Sequence, residues 1–298
     1  TGVPGEQLVM QDGVLYARTK DSADFKAVDY DATKAAWNLN AQPADIKSHV
    51  QWFPFDSEKY DSMIECEKER RDLNLSDASF ECRSIAQKFA AIAQKTSGNN
   101  SQNQSAAKDF FSNTDLFEYT LFNQNMSVTQ KLLTASGGAA WFTGFMTDWI
   151  SKTDVHSSLI GGDIYTDANF RLNIMIKLTV GKILLRNAEL MVSNITVEQK
   201  NNDAVRLSYF KTAEMLHSYI QLLDRRNMPL FPANDKNGNA QYIPGNCYFM
   251  MGDNRFNSLD MRHSYDETLV PLTPLDDYSV TYYSNMAPQY VNRRYFIY

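Results

Sequence analysis

Ile243-Pro244-Gly245-Asn246-Cys247-Tyr248-Phe249-Met250-Met251-Gly252-Asp253-Asn254-Arg255-Phe256-Asn257-Ser258-Leu259-Asp260-Met261-Arg262 is the stretch on which the fold is decided. Pro-Gly punctuation opens an apolar run, Cys247 to Met251, of the length of a buried strand. Two Asp, two Arg, two Asn and a Ser follow at once. Charges so dense at the end of a buried strand must be paired with one another or gathered at a site, because an unpaired buried charge is prohibitive.

Outward from this stretch, the chain changes character twice. At the N-terminal end, Leu8-Val9-Met10 and Val14-Leu15-Tyr16 flank Gln11-Asp12-Gly13, and Asp-Gly between apolar runs predicts a β-hairpin over Gln7–Arg18. From about Thr33 to Asn227 the apolar residues recur with helical period. Helices are expected over Asp56–Leu73, from an N-cap at Ser76 through Phe80, Ile85, Phe89 and Ile92, and then over Ala106–Asn123, Ser127–Ser151, Asp167–Ser193 and Asn202–Arg226. Thr96–Ser105 is polar and lacks apolar anchors, which predicts a loop. Pro229, Pro232, Asn237-Gly238 and Pro244-Gly245 close the helical block with turns. The expected fold class is α+β: residues 1–30 and 241–298 build one β core from both chain ends, and residues 31–240 form a mainly helical insertion.

Bulk properties set limits. The chain of 298 residues is 43% hydrophobic and 21% charged, enough for a packed core. A net charge of −6 argues against a nucleic-acid partner, since no basic excess exists to displace counterions. The most apolar stretches, near Gly137–Phe145 and Ile174–Leu185, are too short for a membrane span or are interrupted by Lys177 and Lys182. The three cysteines (Cys66, Cys82, Cys247) show no CxxC or Cys/His clustering, so no metal is expected. Cys66 and Cys82 fall on neighbouring predicted helices, as a disulfide or as two free thiols.

Pro244-Gly245-x-x-Tyr248-Phe249-x-Met251-Gly252-Asp253-Asn254-Arg255-x-x-Ser258-x-Asp260-x-Arg262 resembles the signature box of type I signal peptidases, serine peptidases that remove signal peptides at a membrane surface. Gly2-Val3-Pro4-Gly5-Glu6 resembles the Gly-x-Pro-Gly-Asp segment that follows that family's catalytic lysine, and the two matches come in the family's order. The resemblance implies a Ser/Lys dyad in which a neutral lysine is the general base, a role that needs burial to pull its pKa down. It implies no cofactor and no metal. In the family the nucleophile, the base and the membrane anchor all precede the Gly-x-Pro-Gly segment. They would precede Thr1 here, so this stretch of chain is expected to be inactive alone.

The resemblance also assigns roles within the box. Ser258 would hydrogen-bond and orient the lysine amine; a turn serine capping local backbone is the plain alternative. Asp260 and Arg262, two apart and so on one side of an extended segment, would form a structural ion pair with Arg255 as a further partner. Asp253 would pair with an arginine beside the catalytic lysine, and Gly252, Asn254 and Arg255 would support the site. Met261 departs from the family, which carries a small hydroxyl residue there; an alternating loop would turn it away from the site. Leu269-Val270-Pro271 matches a Val-Pro that the family carries downstream.

Other residues are assigned plain roles. The four histidines (His49, His156, His217, His263) have no ligand spacing. His217 is assigned to helix packing, and His263 is not needed by a Ser/Lys dyad. Lys177 and Lys182, within an apolar helix, are expected to snorkel. The aromatic-rich Tyr278–Tyr298 reads as late strands with a patch suited to a membrane interface.

The sequence therefore predicts the extracytoplasmic part of a bacterial, membrane-anchored type I signal peptidase with preprotein signal peptides as substrates. The alternative is a non-catalytic relative that keeps the β core and works as a binding or scaffold module through its helical insertion.

Overall fold

The computed structural model describes residues 1–22, 24–28, 57–97, 120, 126–221, 226–252 and 258–292. Within them the fold is α+β. The hairpin forms as β1 (Glu6–Gln11) and β2 (Val14–Thr19), with Gln11 opposite Val14. Asp12 and Gly13 both take positive φ, 55° and 81°, the condition for a two-residue turn whose twist matches the strands. A short β3 (Lys26–Ala27) pairs with β2.

The second neighbour of β1 comes from the far side of the chain. β4 (Met228–Phe231) pairs antiparallel with β1, Leu8 opposite Phe231 and Met10 opposite Met228, giving the order β3-β2-β1-β4. Turn punctuation at Pro229 and Pro232 hid this strand from the sequence reading. Its position in the sheet explains the tolerance, since Pro lacks an N–H and is accepted on edge strands. Leu8, Val9 and Met10 are fully buried.

The expected strand over Cys247–Met251 is shorter than predicted. β5 covers only Cys247–Tyr248 and pairs with β8 (Val291–Asn292). Beyond it, Phe249 forms a bridge with Gly2, Gly2 N–H donating to Phe249 O at 2.8 Å and Phe249 N–H to Gly2 O at 3.0 Å. A Cβ at Gly2 would lie 2.4 Å from Leu8 Cδ1 and 3.2 Å from Phe249 Cβ, so a side chain here would have to displace the buried Leu8. β6 (His263–Pro271) and β7 (Thr281–Met286) form a separate ribbon.

Seven helices fill the middle of the described chain: α1 (Ser57–Asp72), α2 (Leu75–Ser97), α3 (Ser127–Thr134), α4 (Gly138–Lys152), α5 (Ile164–Val192), α6 (Val197–Asn201) and α7 (Ala204–Gln221). α5 is apolar nearly all round and is buried as such a helix must be, with α2, α4 and α7 among its neighbours. Several boundaries differ from expectation. Asn74 caps α2 in place of Ser76, its Oδ1 accepting from Ser76 N at 2.9 Å and Asp77 N at 3.2 Å. Phe80 is 65% exposed and not a core residue. The single helix expected over Ser127–Ser151 is broken between α3 and α4, where Gly137 takes a left-handed φ of 75°. α5 begins before Asp167 because Asp163 caps it, accepting from Tyr165 N and Thr166 N, both at 2.9 Å. Apart from Thr120, the helix expected over Ala106–Asn123 and most of the polar loop before it lie outside the described residues.

Buried apolar side chains fall into two clusters. One is helical and includes Phe89, Phe142, Phe145, Met146, Trp149 and Phe170. The other is the β cluster of Leu8, Met10, Leu15, Met228, Phe231, Ile243, Cys247 and Phe249. Met228 and Phe231 belong to the β cluster, while Tyr282 of β7 and Leu272 and Val280, from the connection between β6 and β7, join the helical one.

Two polar junctions hold the regions together. In the first, Lys177 does not snorkel. Its ammonium is fully buried, pairs with Asp276 at 2.9 Å, and donates to Tyr278 O at 2.9 Å and to Phe145 O. Asn173 completes the junction, its Nδ2 donating to Asp276 at 2.9 Å and its Oδ1 accepting from Val280 N at 2.7 Å. Burial pulls the Lys177 pKa down even with Asp276 opposing it.

The second junction surrounds the hairpin turn. Asp12 accepts from Arg70 at 2.8 Å and Arg71 at 2.9 Å, while Arg226 binds Glu67 at 2.5 Å and also the Asp12 carbonyl. Burial pushes the Asp12 carboxyl up, but the Arg70 and Arg226 charges overcome it and leave it below its usual range. Burial pushes Glu67 up to about 7 against the opposing pull of Arg226.

Candidate active-site box

The end of the box folds upon Asp260. Gly252 N–H donates to Asp260 Oδ2 at 2.8 Å, and Arg262 N–H donates to Oδ1 at 3.1 Å. The Arg262 guanidinium grips the same carboxylate with Nε to Oδ1 at 2.8 Å and Nη2 to Oδ2 at 3.0 Å. This two-point geometry is the strongest that an arginine and a carboxylate form. Arg262 Nη2 also donates to Ser258 O at 3.3 Å, so one buried cation ties Ser258 to Asp260, and Asp260 in turn reaches across to Gly252. Partial burial of Asp260 raises its carboxyl pKa, and hydrogen bonds from Arg262 and Gly252 more than reverse this, leaving it below its usual value. An anion held this way is a support and not a proton carrier near neutral pH.

Ser258 lies directly over Gly252. A Cβ on Gly252 would fall 2.0 Å from Ser258 Oγ and 2.6 Å from Ser258 Cβ. The glycine is therefore what admits the serine, and no larger residue fits without moving one strand of the loop. Leu259, next to the serine, is 70% exposed. Asp253, Asn254 and Arg255 lie outside the described residues, so their expected pairing is untouched by this geometry.

Met261 packs inward. Its sulfur accepts from Met250 N–H at 2.9 Å, and its side chain packs on the β cluster beside Met251 and Met286. Met261 thus joins the two limbs of the box, stitching the segment after β5 to the loop that returns from it.

The N-terminal segment runs alongside. Besides the Gly2–Phe249 bridge, Gly5 N–H donates to Ile243 O and Ile243 N–H to Glu6 O, both at 2.8 Å. Glu6 folds back to accept from Val3 N–H at 2.9 Å. Phe249 precedes Gly252 by three residues, so at about 3.3 Å per residue the box begins within about 10 Å of the bridge to Gly2.

Other candidates have plainer surroundings. His263 opens β6, buried, with Nδ1 3.3 Å from Asn285 Oδ1. His217 is half-buried on α7. Lys182 pairs with Glu81 at 2.9 Å. Cys66, Cys82 and Cys247 are all free and buried, and burial pushes the Cys66 and Cys82 thiols up to about 12, far from reactivity. Val270 and Pro271 sit in β6 opposite Tyr282 and Thr281. The C-terminal aromatics divide: Tyr282 is buried, Tyr278 packs edge-on to Trp141, and Tyr283 and Tyr290 are exposed. Among the described residues no cluster of three or more His, Cys, Asp or Glu is placed to hold a metal, and no helix is long and apolar enough to cross a membrane.

No protein-family model, no curated protein and no solved structure matches this chain.

Proposed function

We propose that the chain is the extracytoplasmic part of a membrane-anchored type I signal peptidase, cleaving exported preproteins with a Ser/Lys dyad contributed by residues ahead of Gly2. The observation that carries this reading is the pairing of Gly2 with Phe249. A lysine on the strand entering Gly2-Val3-Pro4-Gly5 would come in beside Phe249, three residues before Gly252. Ser258 would then accept or share the amine's hydrogen bond and hold it toward the nucleophile. Asp260 and Arg262 would keep the serine's backbone in place without entering the chemistry. The exposed Leu259, Met250 and Val3 around the box suit a site that receives an apolar substrate segment.

The test is cleavage of a preprotein carrying a small-x-small motif, in detergent. Residues 1–298 alone should give no product above background. The full-length protein should cut after the small residue and lose activity when the lysine ahead of Gly2 is replaced. A full-length protein that binds but never cuts any preprotein would leave the scaffold reading in its place.

A further inference from the structure

The outer face of α2 carries a stripe that matches itself end to end. Asp77, Glu81, Ser84 and Lys88 recur at helical spacing, and Phe80, 65% exposed, flanks them. Together with Lys182, Leu185 and Arg186 of α5 and Val205 and Tyr209 of α7, they border an open groove of about 580 Å³. Val205 is 46% exposed beside it. Lys182 and Arg186 are already engaged, by Glu81 at 2.9 Å and by Asp203 at 2.7 Å. Asp77 and Lys88 are both exposed, and among the described residues neither takes part in an ion pair. At 1.5 Å rise and 100° per residue they stand on one line of the helix, about 16 Å apart.

We infer that this face binds a second copy of the chain, α2 against α2 and antiparallel, about a two-fold axis between Cys82 and Arg83. That register sets Asp77 of each copy opposite Lys88 of the other and Glu81 opposite Ser84. It brings the two Phe80 rings to one side of the seam, offset along it by about 7.5 Å at the same helical rise. An isologous pair requires a patch that is its own complement, and a stripe with one unpaired anion, one unpaired cation and an exposed aromatic between them meets that condition. One helix stripe per partner is less than the roughly 20–30 residues a side of a standard stable interface, so the dimer should be weak and concentration-dependent.

Sedimentation velocity of residues 1–298 across a concentration series tests this. The chain should shift from monomer to dimer as concentration rises. Phe80→Asp, at a position too exposed to disturb folding, should abolish the shift. Asp77→Lys and Lys88→Asp should each weaken it about tenfold or more, because the two-fold axis turns two attractions into two repulsions. Mixing the two single variants should restore a dimer, since each then meets the opposite charge on its partner; the double swap should restore it as well. A monomer at every concentration overturns the inference and leaves the groove to a different partner. A dimer indifferent to the charge reversals, or not rescued by mixing, overturns the register and with it the proposed face.

Discussion

The box at 252–262 and the two polar junctions are both built from buried or half-buried charge, yet they differ in where their partners come from. Among the described residues of the box, the Asp260 carboxylate is held locally: it is bound by Gly252 and by Arg262, and Arg262 reaches Ser258. In the junctions the partners are remote. Asp12 meets Arg70 and the Arg226 side chain, and Lys177 meets Asp276. The local network is a self-supporting loop whose design is written in consecutive residues. The remote ones weld the two ends of the chain to the helical region, which makes that region part of the fold's framework and not a loosely attached insertion.

The comparison breaks first at the first junction. Asp276→Ala strands the Lys177 ammonium in a dry core, and loss of one member of a buried pair costs about 3–5 kcal/mol. Urea unfolding should show a drop of that size, while Lys177→Met with Asp276→Leu should recover most of it. A loss of under 1 kcal/mol from the single change would mean that the junction is open to water.

That difference in reach also marks what the sequence could tell. The hairpin and most of the described helices are legible because each is specified by neighbours: Asp12-Gly13 for a turn, helical spacing for α5. β4 was not, because Met228–Phe231 is a strand only by virtue of lying against Leu8 and Met10. Lys177 was misread for the same reason. A lysine on an apolar helix face usually extends to the surface, and only the approach of Asp276 from the β6–β7 ribbon makes burial tolerable. The cap at Asn74 was missed although asparagine is a strong N-cap, since Ser76 lay nearer the apolar run. Within the box, Ser258 and Asp260 were singled out by resemblance, but the part of Gly252 as the floor beneath Ser258 is visible only in three dimensions.

The second junction sharpens the comparison through pH. Burial pushes the Glu67 carboxyl, ordinarily near 4.5, up to about 7 in the folded chain. A raised carboxylate contributes stability that is complete below its unfolded pKa and lost as pH rises through the folded one. Between pH 5 and pH 8 the chain should therefore lose on the order of 2 kcal/mol, and Glu67→Gln should flatten that slope. Asp260 titrates in the opposite sense: its lowered pKa gives stability that is present above its usual range and lost only in strong acid. A stability curve that rises from pH 5 to pH 8 would contradict the Glu67 assignment.

At the box, Gly252→Ala forces a methyl into the space of Ser258 Oγ, and overpacking of this kind costs about 1–3 kcal/mol. Its effect should be confined to the loop, with hydrogen exchange accelerated near 252–262 and unchanged in α5. The smallest expected change is Asn74→Ala, about 1 kcal/mol for a lost cap, against a few tenths for Ser76→Ala; the reverse order would restore Ser76 as the cap.

The most direct measurement of the central claim is the rate at which the full-length protein with Ser258→Ala cleaves a preprotein. Losing one orienting hydrogen bond of about 1–3 kcal/mol should slow cleavage roughly tenfold to a hundredfold, with unfolding unchanged. Cleavage at the unaltered rate would reduce Ser258 to a turn residue and contradict the reading of the box as the support of a Ser/Lys site.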